Sequence, residues 1–220
     1  MMELCESTKV ASAYGRIKQL VVECRFYPGQ HLQVGEISDW LRLSVTPVRE
    51  ALMRLSVERF IDCFPNRGYF AKKFDISEQQ ILHDAADVIL FHAVNCDLLT
   101  PLSSGEHCAE GPASTVEHLY EVIASRTGNL ELVHFIRNYN ERTHFVRKLY
   151  VAEHEDAVYA DNRGMIEALE GLRTAEAAAI LARHRRHFSS ALPELLKQAL
   201  AQTLVAPAFP IELPLNQRST

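Results

Sequence analysis

Residues Ser44 to Leu55, read as S-V-T-P-V-R-E-A-L-M-R-L, limit the folds open to this chain more than any other stretch. Ser44 is a helix N-cap residue type, and Thr46 and Pro47 follow in the first turn, where a missing N–H costs nothing. Val48, Ala51, Leu52 and Leu55 then recur at helical spacing and make one apolar face. Arg49 and Arg54 lie off that face, and Thr46 stays free near the start. Such a helix buries one side and offers hydroxyl, guanidinium and unpaired N–H groups at its beginning, which suits entry into a DNA major groove. Taken alone, the segment fits an ordinary amphipathic surface helix equally well, so its neighbours decide.

Upstream, Val34, Ile37, Trp40 and Leu41 pattern a second short amphipathic helix over Val34 to Leu41. Only Arg42-Leu43 connects it to Ser44, as a helix-turn-helix requires. Downstream, Phe60 to Phe64 alternates as a strand, Pro65-Asn66-Arg67-Gly68 is a turn, and Tyr69 to Lys73 is a second strand. Ile17, Leu20 and Val21 mark an earlier helix, closed by a turn at Tyr27-Pro28-Gly29. Helix, short strand, two helices and a two-stranded wing with a basic tip predict a winged helix-turn-helix.

Y-P-G-Q-H-L, S-V-T-P-V-R-E-A-L-M-R-L and P-N-R-G-Y-F together resemble the N-terminal domain of GntR-family transcriptional regulators, over roughly residues 10–74. The resemblance implies a homodimer that reads a pseudo-palindromic double-stranded DNA operator, with repression the family expectation. It places Ser44, Thr46, Pro47 and Arg49 on the recognition helix at the DNA, and Asn66, Arg67 and Gly68 at the minor groove. Three positions depart from the family pattern. Val45 stands where the family carries an arginine able to read guanine, and valine can only pack on a thymine methyl. Gly35 replaces a basic residue of the preceding helix. Arg59 replaces a glycine after the recognition helix, a strained choice if the cap is left-handed. A shifted or relaxed operator preference is expected.

The net charge of −5 is unevenly spread. Residues 1–74 hold 11 Lys/Arg against 8 Asp/Glu, and residues 75–220 hold 12 against 20. A basic head on an acidic body suits a DNA binder. Five cysteines, Cys5, Cys24, Cys63, Cys96 and Cys108, include no C-x-x-C pair, and Cys24 and Cys63 read as small buried hydrophobes. The start M-M-E-L-C-E-S-T-K lacks the apolar core of a secretory signal, and no charge-free apolar run is long enough for a bilayer. A cytoplasmic protein with reduced thiols and no membrane partner is expected.

From Asp75 onward the pattern is helical. Ile81, Leu82, Ala85, Val88, Ile89, His92 and Ala93 predict a helix reaching about Leu99, followed by a loop over Thr100 to Ser114. Further helices are expected from about Thr115 to Arg126, from Asn129 along the stripe Leu132, Ile136, Tyr139, Thr143, Val146 and Tyr150, from Ala157 to Glu170, and from Ala175 to Ala201. The fold class is therefore mainly α, an N-terminal winged helix-turn-helix plus a C-terminal antiparallel all-α helical bundle. The expected domains are residues 1–74 for DNA binding, 75–201 for effector binding and dimerisation, and 202–220 as a tail.

Gly128-Asn129, N-R-G-M-I-E-A-L at Asn162 to Leu169 and A-E-A-A-A-I-L-A-R-H at Ala175 to His184 resemble the helical effector-binding (FCD-like) domain of the FadR-type branch. Many members of that branch hold a divalent metal with one aspartate and three histidines. Those positions fall here on Val116, Tyr120, Asn162 and His184, and one imidazole with an amide and a phenol makes a poor metal site. No cofactor is expected, and a divalent metal is disfavoured unless His118 or Asp87 joins His184. The arginine often found in the first bundle helix maps to Ala85. For a small-molecule effector, of which an organic acid is one candidate, Tyr120, Asn162 and His184 are the polar lining residues and Arg142 the anion partner. Each is equally readable as an ordinary core or surface residue. His83, Asp84 and Asp87 read as a polar patch, and His184 and His187, among three arginines, as a solvated face or as groups with an acidic partner.

No phosphate loop, nucleophile elbow or paired catalytic carboxylates are visible, so the chain is not expected to be an enzyme. The alternatives are a metal-binding or enzymatic helical module whose wing serves protein contacts, and a constitutive DNA binder with a decayed pocket.

Overall fold

The computed structural model describes residues 2–96 and 112–205. The expected loop at residues 100–111, Cys108, the side chain of Cys5 and the tail from residue 206 with Pro207 and Pro210 lie outside them. Two compact units meet in sequence between Phe74 and Asp75.

The first unit runs α1 (Met2–Val22), β1 (His31–Leu32), α2 (Val34–Leu41), α3 (Val45–Val57), β2 (Ile61–Phe64) and β3 (Gly68–Ala71). The strands form an antiparallel sheet in the order β1-β3-β2, with Phe64 opposite Gly68 across the wing. Its core is apolar throughout: Ile17, Ile37, Leu41, Val48, Ala51, Leu52, Leu55, Phe60 and Ile61 pack together, and α3 contributes the stripe its sequence announced. Ser38, buried in α2, donates to the Val34 carbonyl oxygen at 2.6 Å. Arg42 takes a left-handed conformation (φ 54°) and turns the chain into α3. Arg59 does the same after α3 (φ 64°), with Phe60 N–H donating to Leu55 at 2.9 Å and Arg59 N–H to Ser56 at 3.1 Å. That pair of bonds is a Schellman cap, so the strain expected of Arg59 is present. Cys24 is well covered, and burial pushes its thiol up to about 12. Cys63 is exposed on β2, contrary to the sequence reading: it shares a strand face with the buried Ile61 but lies one step nearer the wing tip, where burial has run out.

The second unit holds α4 (Ile76–Val94), α5 (Pro112–Ser125), α6 (Leu130–Glu153), α7 (Glu155–Glu170) and most of α8 (Thr174–Val205). Asp75 caps α4 by accepting from Glu78 N–H at 2.8 Å, and Asn129 caps α6 by accepting from Glu131 N–H at 3.0 Å. Gly128, at φ 68°, makes the turn between α5 and α6. The α6 stripe is buried as expected at Ile136, Tyr139, Thr143, Val146 and Tyr150. In α4 the expectation fails. The helix stops at Val94, where Asn95 donates its side-chain amide back to the Phe91 carbonyl oxygen. Its buried face is Leu82, His83, Ala86, Asp87, Leu90, Ala93 and Val94, whereas Ile81 and Val88 are 67% and 70% exposed. Two polar residues occupy the inward face, which turned the apolar pattern toward the wrong side.

Candidate nucleic-acid interface and interior pocket

In the first unit, the ridge-forming helix is α3. Ser44 sits at its N-cap in an extended conformation without a capping side-chain hydrogen bond, which leaves its hydroxyl at the helix start. Thr46 and Arg49 are exposed, and Pro47 is buried, so proline shapes the first turn from the packed side. Arg54 is drawn the other way. Its guanidinium lies 4.0 Å from the Tyr14 ring centroid, and its Nε donates to Glu58 at 2.8 Å. Glu58 also accepts from the Tyr14 hydroxyl at 2.5 Å. Both arginines lie off the core face as the sequence placed them, Arg49 exposed without a contact of this kind and Arg54 exposed but engaged by Tyr14 and Glu58.

The wing lies beside it. Burial raises the Tyr69 phenol on β3, and the Arg49 guanidinium opposes that rise, so the two elements share one electrostatic neighbourhood. Asn66 and Arg67 are exposed at the tip, with Asn66 left-handed at φ 59°. Arg67 lies 5.7 Å from the ring centroids of both Phe64 and Phe70, which are themselves 5.6 Å apart edge-on. Gly68 is required twice over: its φ is 88°, and a Cβ there would come within 3.0 Å of His31 Nε2. A basic tip held over aromatic rings next to a helix with free hydroxyl and guanidinium groups can engage a phosphate backbone and the base edges between.

In the second unit, buried polar side chains gather around a small pocket lined by His83, Asp87, Tyr120, Tyr139, Arg147, His184, Arg185 and Phe188. The free space between them is about 10 Å³, the room of one water molecule. His83 Nδ1 is 2.6 Å from the Tyr139 hydroxyl, while His83 Nε2 is buried with no hydrogen-bond partner. Burial, with the nearby Arg147 and His184, pushes His83 down to about 3, so its ring is neutral. Burial raises Tyr139, so it keeps its hydroxyl proton. Asp87 is pushed up to about 6 by burial, opposed by Arg185, whose Nε lies 2.8 Å from its carboxylate, and reinforced by Asp84.

Arg147 is enclosed. It donates to Glu117 at 2.8 Å and to the Thr143 hydroxyl at 2.9 Å, and its guanidinium stands 5.1 Å from the Tyr139 ring centroid. Burial works to raise Glu117, but the bond to His144 (2.9 Å) and the Arg147 charge outweigh it and hold the carboxyl below its usual range. His184 is buried with an acidic partner, the second of the two expected settings: its Nδ1 lies 3.6 Å from Asp161, a carboxylate that Arg183 also grips. His83 and Asp87 likewise belong to the interior and not to a surface patch.

Of the residues expected to line an effector site, Tyr120 and His184 line this small pocket. Asn162 is buried on α7 and is not among the lining residues, and Arg142 pairs with Glu78 at 2.5 Å. Asp87 lines the pocket and His118 does not. Among the described residues no three histidine, cysteine, aspartate or glutamate side chains converge as a metal would need, so the donor set does not fit a divalent ion. Sequence reasoning missed His83, Tyr139 as a pocket group, and Arg147. Arg147 carried a signal, since it falls four residues after Thr143 and eight after Tyr139 on the α6 stripe.

Residues 9–70 match the family model of bacterial regulatory proteins of the gntR family. The chain is 27% identical over 200 residues to the Nta operon transcriptional regulator of Aminobacter aminovorans, covering 83% of this chain and 94% of that one. A GntR-type regulator from Rhodococcus sp. RHA1 shares the fold with a TM-score of 0.66 at 20% identity, over 90% of this chain and 99% of its own. McbR/YncC of E. coli does so with a TM-score of 0.57 at 17% identity, over 90% and 97%. The Aminobacter and Rhodococcus proteins are named as transcriptional regulators, and among the described residues no helix is long and apolar enough to cross a membrane. The gntR match rests on the winged-helix segment, where the chain is similar to bacterial regulatory proteins of that family.

Proposed function

We propose that the chain is a ligand-responsive regulator of the FadR-type branch, acting from the cytoplasm as a homodimer that represses from a pseudo-palindromic operator. The observation that carries the reading is the division of α3, which buries Val48, Ala51, Leu52 and Leu55 completely and turns Thr46 and Arg49 outward beside the wing. Ser44, Thr46, Arg49, Asn66, Arg67 and Gly68 meet the DNA, and Pro47 sets the turn that presents them. Fluorescence anisotropy with duplex DNA tests it. Affinity falls steeply with salt, and Arg49→Ala lowers it about tenfold or more while reducing the log–log salt slope by about one. A folded protein indifferent to every duplex at low salt overturns the proposal.

Helices α4–α8 form the FCD-like sensor, and the pocket of Tyr120, His184, His83 and Arg147 receives the effector. With the Tyr139 hydroxyl donating to Nδ1, His83 presents its Nε2–H as a buried donor without an acceptor, which suits a carbonyl or carboxylate oxygen. Room for one water means that an effector must select a more open arrangement, and that selection is the allosteric step. A stabilising metabolite in a thermal-shift panel, lost in His83→Phe, is the expected result. At a concentration of 100 Kd it stabilises the protein by about 2.7 kcal/mol. The same small volume favours one second reading, a constitutive DNA binder, which predicts no stabilising metabolite and unaltered DNA affinity across the panel.

A further inference from the structure

The outward face of α3 is poor in polar groups for a helix that reads DNA. At about 100° per residue, Val45, Thr46, Arg49, Glu50 and Met53 fall on one side, opposite the buried Val48, Ala51, Leu52 and Leu55. Val45 is 45% exposed and Met53 57% exposed. The helix has two arginines, and Arg54 is folded back onto Tyr14 and Glu58. Arg49 is thus the cation of α3 on the side of Val45 and Met53, next to Glu50, while the exposed Arg54 is already engaged by Tyr14 and Glu58.

We infer that Val45 and Met53 read thymine C5-methyl groups in the major groove, with Arg49 as the only guanine-reading side chain of α3, so that the operator half-site under this helix is rich in A·T pairs. The inference rests on α3 being the element that enters the groove. Val45 is the first residue of the helix, and the N-terminal residues of a recognition helix are those that reach base edges. Its side chain has no donor or acceptor. Against guanine N7 and O6 or the cytosine amino group it strips water and returns no hydrogen bond, whereas against thymine it covers a methyl with a methyl. The preference therefore has both an attractive and a repulsive part. Met53 lies two turns further along the same side, and its flexible thioether adapts to a methyl without needing a fixed geometry.

The test starts from a randomised duplex library selected on the full-length chain. Thymine is then replaced by uracil, one position at a time, in the selected duplex. Each contacted methyl is worth about fourfold in affinity, the effect of burying one carbon group. Substitution at two or more half-site positions should lower affinity by that factor. In Val45→Ala one of these positions should become indifferent to the methyl, and in Met53→Ala another. Arg49→Ala should weaken binding while keeping the full sensitivity to uracil. Both apolar side chains are exposed, so the variants keep the fold, and unchanged thermal melts check that they do. The inference is overturned if uracil changes nothing at any half-site position, or if Val45→Ala weakens thymine and uracil duplexes equally. Salt-sensitive binding with no selected sequence overturns it and leaves the DNA-binding reading intact. No duplex binding at low salt overturns both.

Discussion

The two units bury different kinds of residue. Around α3 the first unit packs Ile17, Ile37, Leu52, Leu55 and Ile61 with no ionisable side chain among them, and its functional groups stand on the outside. The helical unit buries His83, Asp87, Asn140, Arg147, Asp161 and His184. A surface that reads DNA can rest on an apolar core, which holds it rigid without competing for its polar groups. Polar groups kept inside a helical unit must each find a partner or be left at a cost. The first unit holds its polar groups on an apolar frame, and the second holds a buried network of them.

The largest expected effect breaks that network. Arg147 is fully enclosed and is held by Glu117 and Thr143. Arg147→Ala leaves Glu117 with its main cation gone and costs the helical unit about 3–5 kcal/mol. Hydrogen exchange read by mass spectrometry should show faster exchange in α5 and α6 and unchanged protection in α3. The double change Arg147→Met with Glu117→Gln, which removes both charges, should recover most of the loss. Equal loosening of α3 would remove the contrast between the units.

A second prediction sharpens it. Asp87 is pushed up to about 6 by burial against an ordinary value of 3.8, so the folded state binds its proton more tightly than the unfolded state does. The stability this group contributes is fully present below about pH 4 and is lost as pH rises through 6. Asp87→Asn should therefore raise the stability of the helical unit by about 1–3 kcal/mol at pH 7. That gain should shrink between pH 6 and pH 4 and vanish below. His83, whose depressed value makes the fold lose stability as pH falls below about 6.5, is common to both proteins and cancels in the difference. Thermal melts of both proteins at matched pH decide it, and a gain that persists at pH 4 contradicts the assignment.

The sequence was legible to different depths in the two units for the same reason. The bounds of α2, the N-cap at Ser44, the apolar stripe of α3 and the wing turn at Asn66 to Gly68 all follow from interactions between residues a few positions apart. Capping, helical period and turn chemistry are visible over such distances. Cys63 is exposed although it shares a face with the buried Ile61, because alternation does not say how far along a wing strand the core extends. The pocket depends on long separations. His83 and Tyr139 are 56 positions apart and Arg147 and Glu117 are 30 apart, so no local pattern links them. Nor could the α4 pattern reveal that a histidine and an aspartate lie inward, since burying them is favourable only once Arg185 and Tyr139 are in place. The family resemblance points to the positions of Tyr120 and His184, whereas Arg142 and Arg147 lie on one helix and only packing shows that Arg147 is the one enclosed beside the pocket.

The smallest predicted effect lies in the first unit, where the strain is in the backbone and not in the polar groups. Arg59 holds φ at 64° in the Schellman cap that ends α3, a conformation that costs a residue with a side chain about 1–2 kcal/mol. Arg59→Gly removes that cost and adds freedom to the unfolded chain, for a net gain of about 0.5–1 kcal/mol. The chain has one tryptophan, Trp40, and it sits in α2 of this unit, so urea unfolding followed by its fluorescence reports on this unit directly. The midpoint should move up without a change in slope. Because α3 ends in the same cap before and after the change, DNA affinity should stay constant, which separates backbone strain from any role of the Arg59 charge in binding phosphate. A weaker grip on duplex DNA at unchanged or raised stability would give Arg59 to the interface instead, and would move one more functional group to the outside of the unit that keeps its interior apolar.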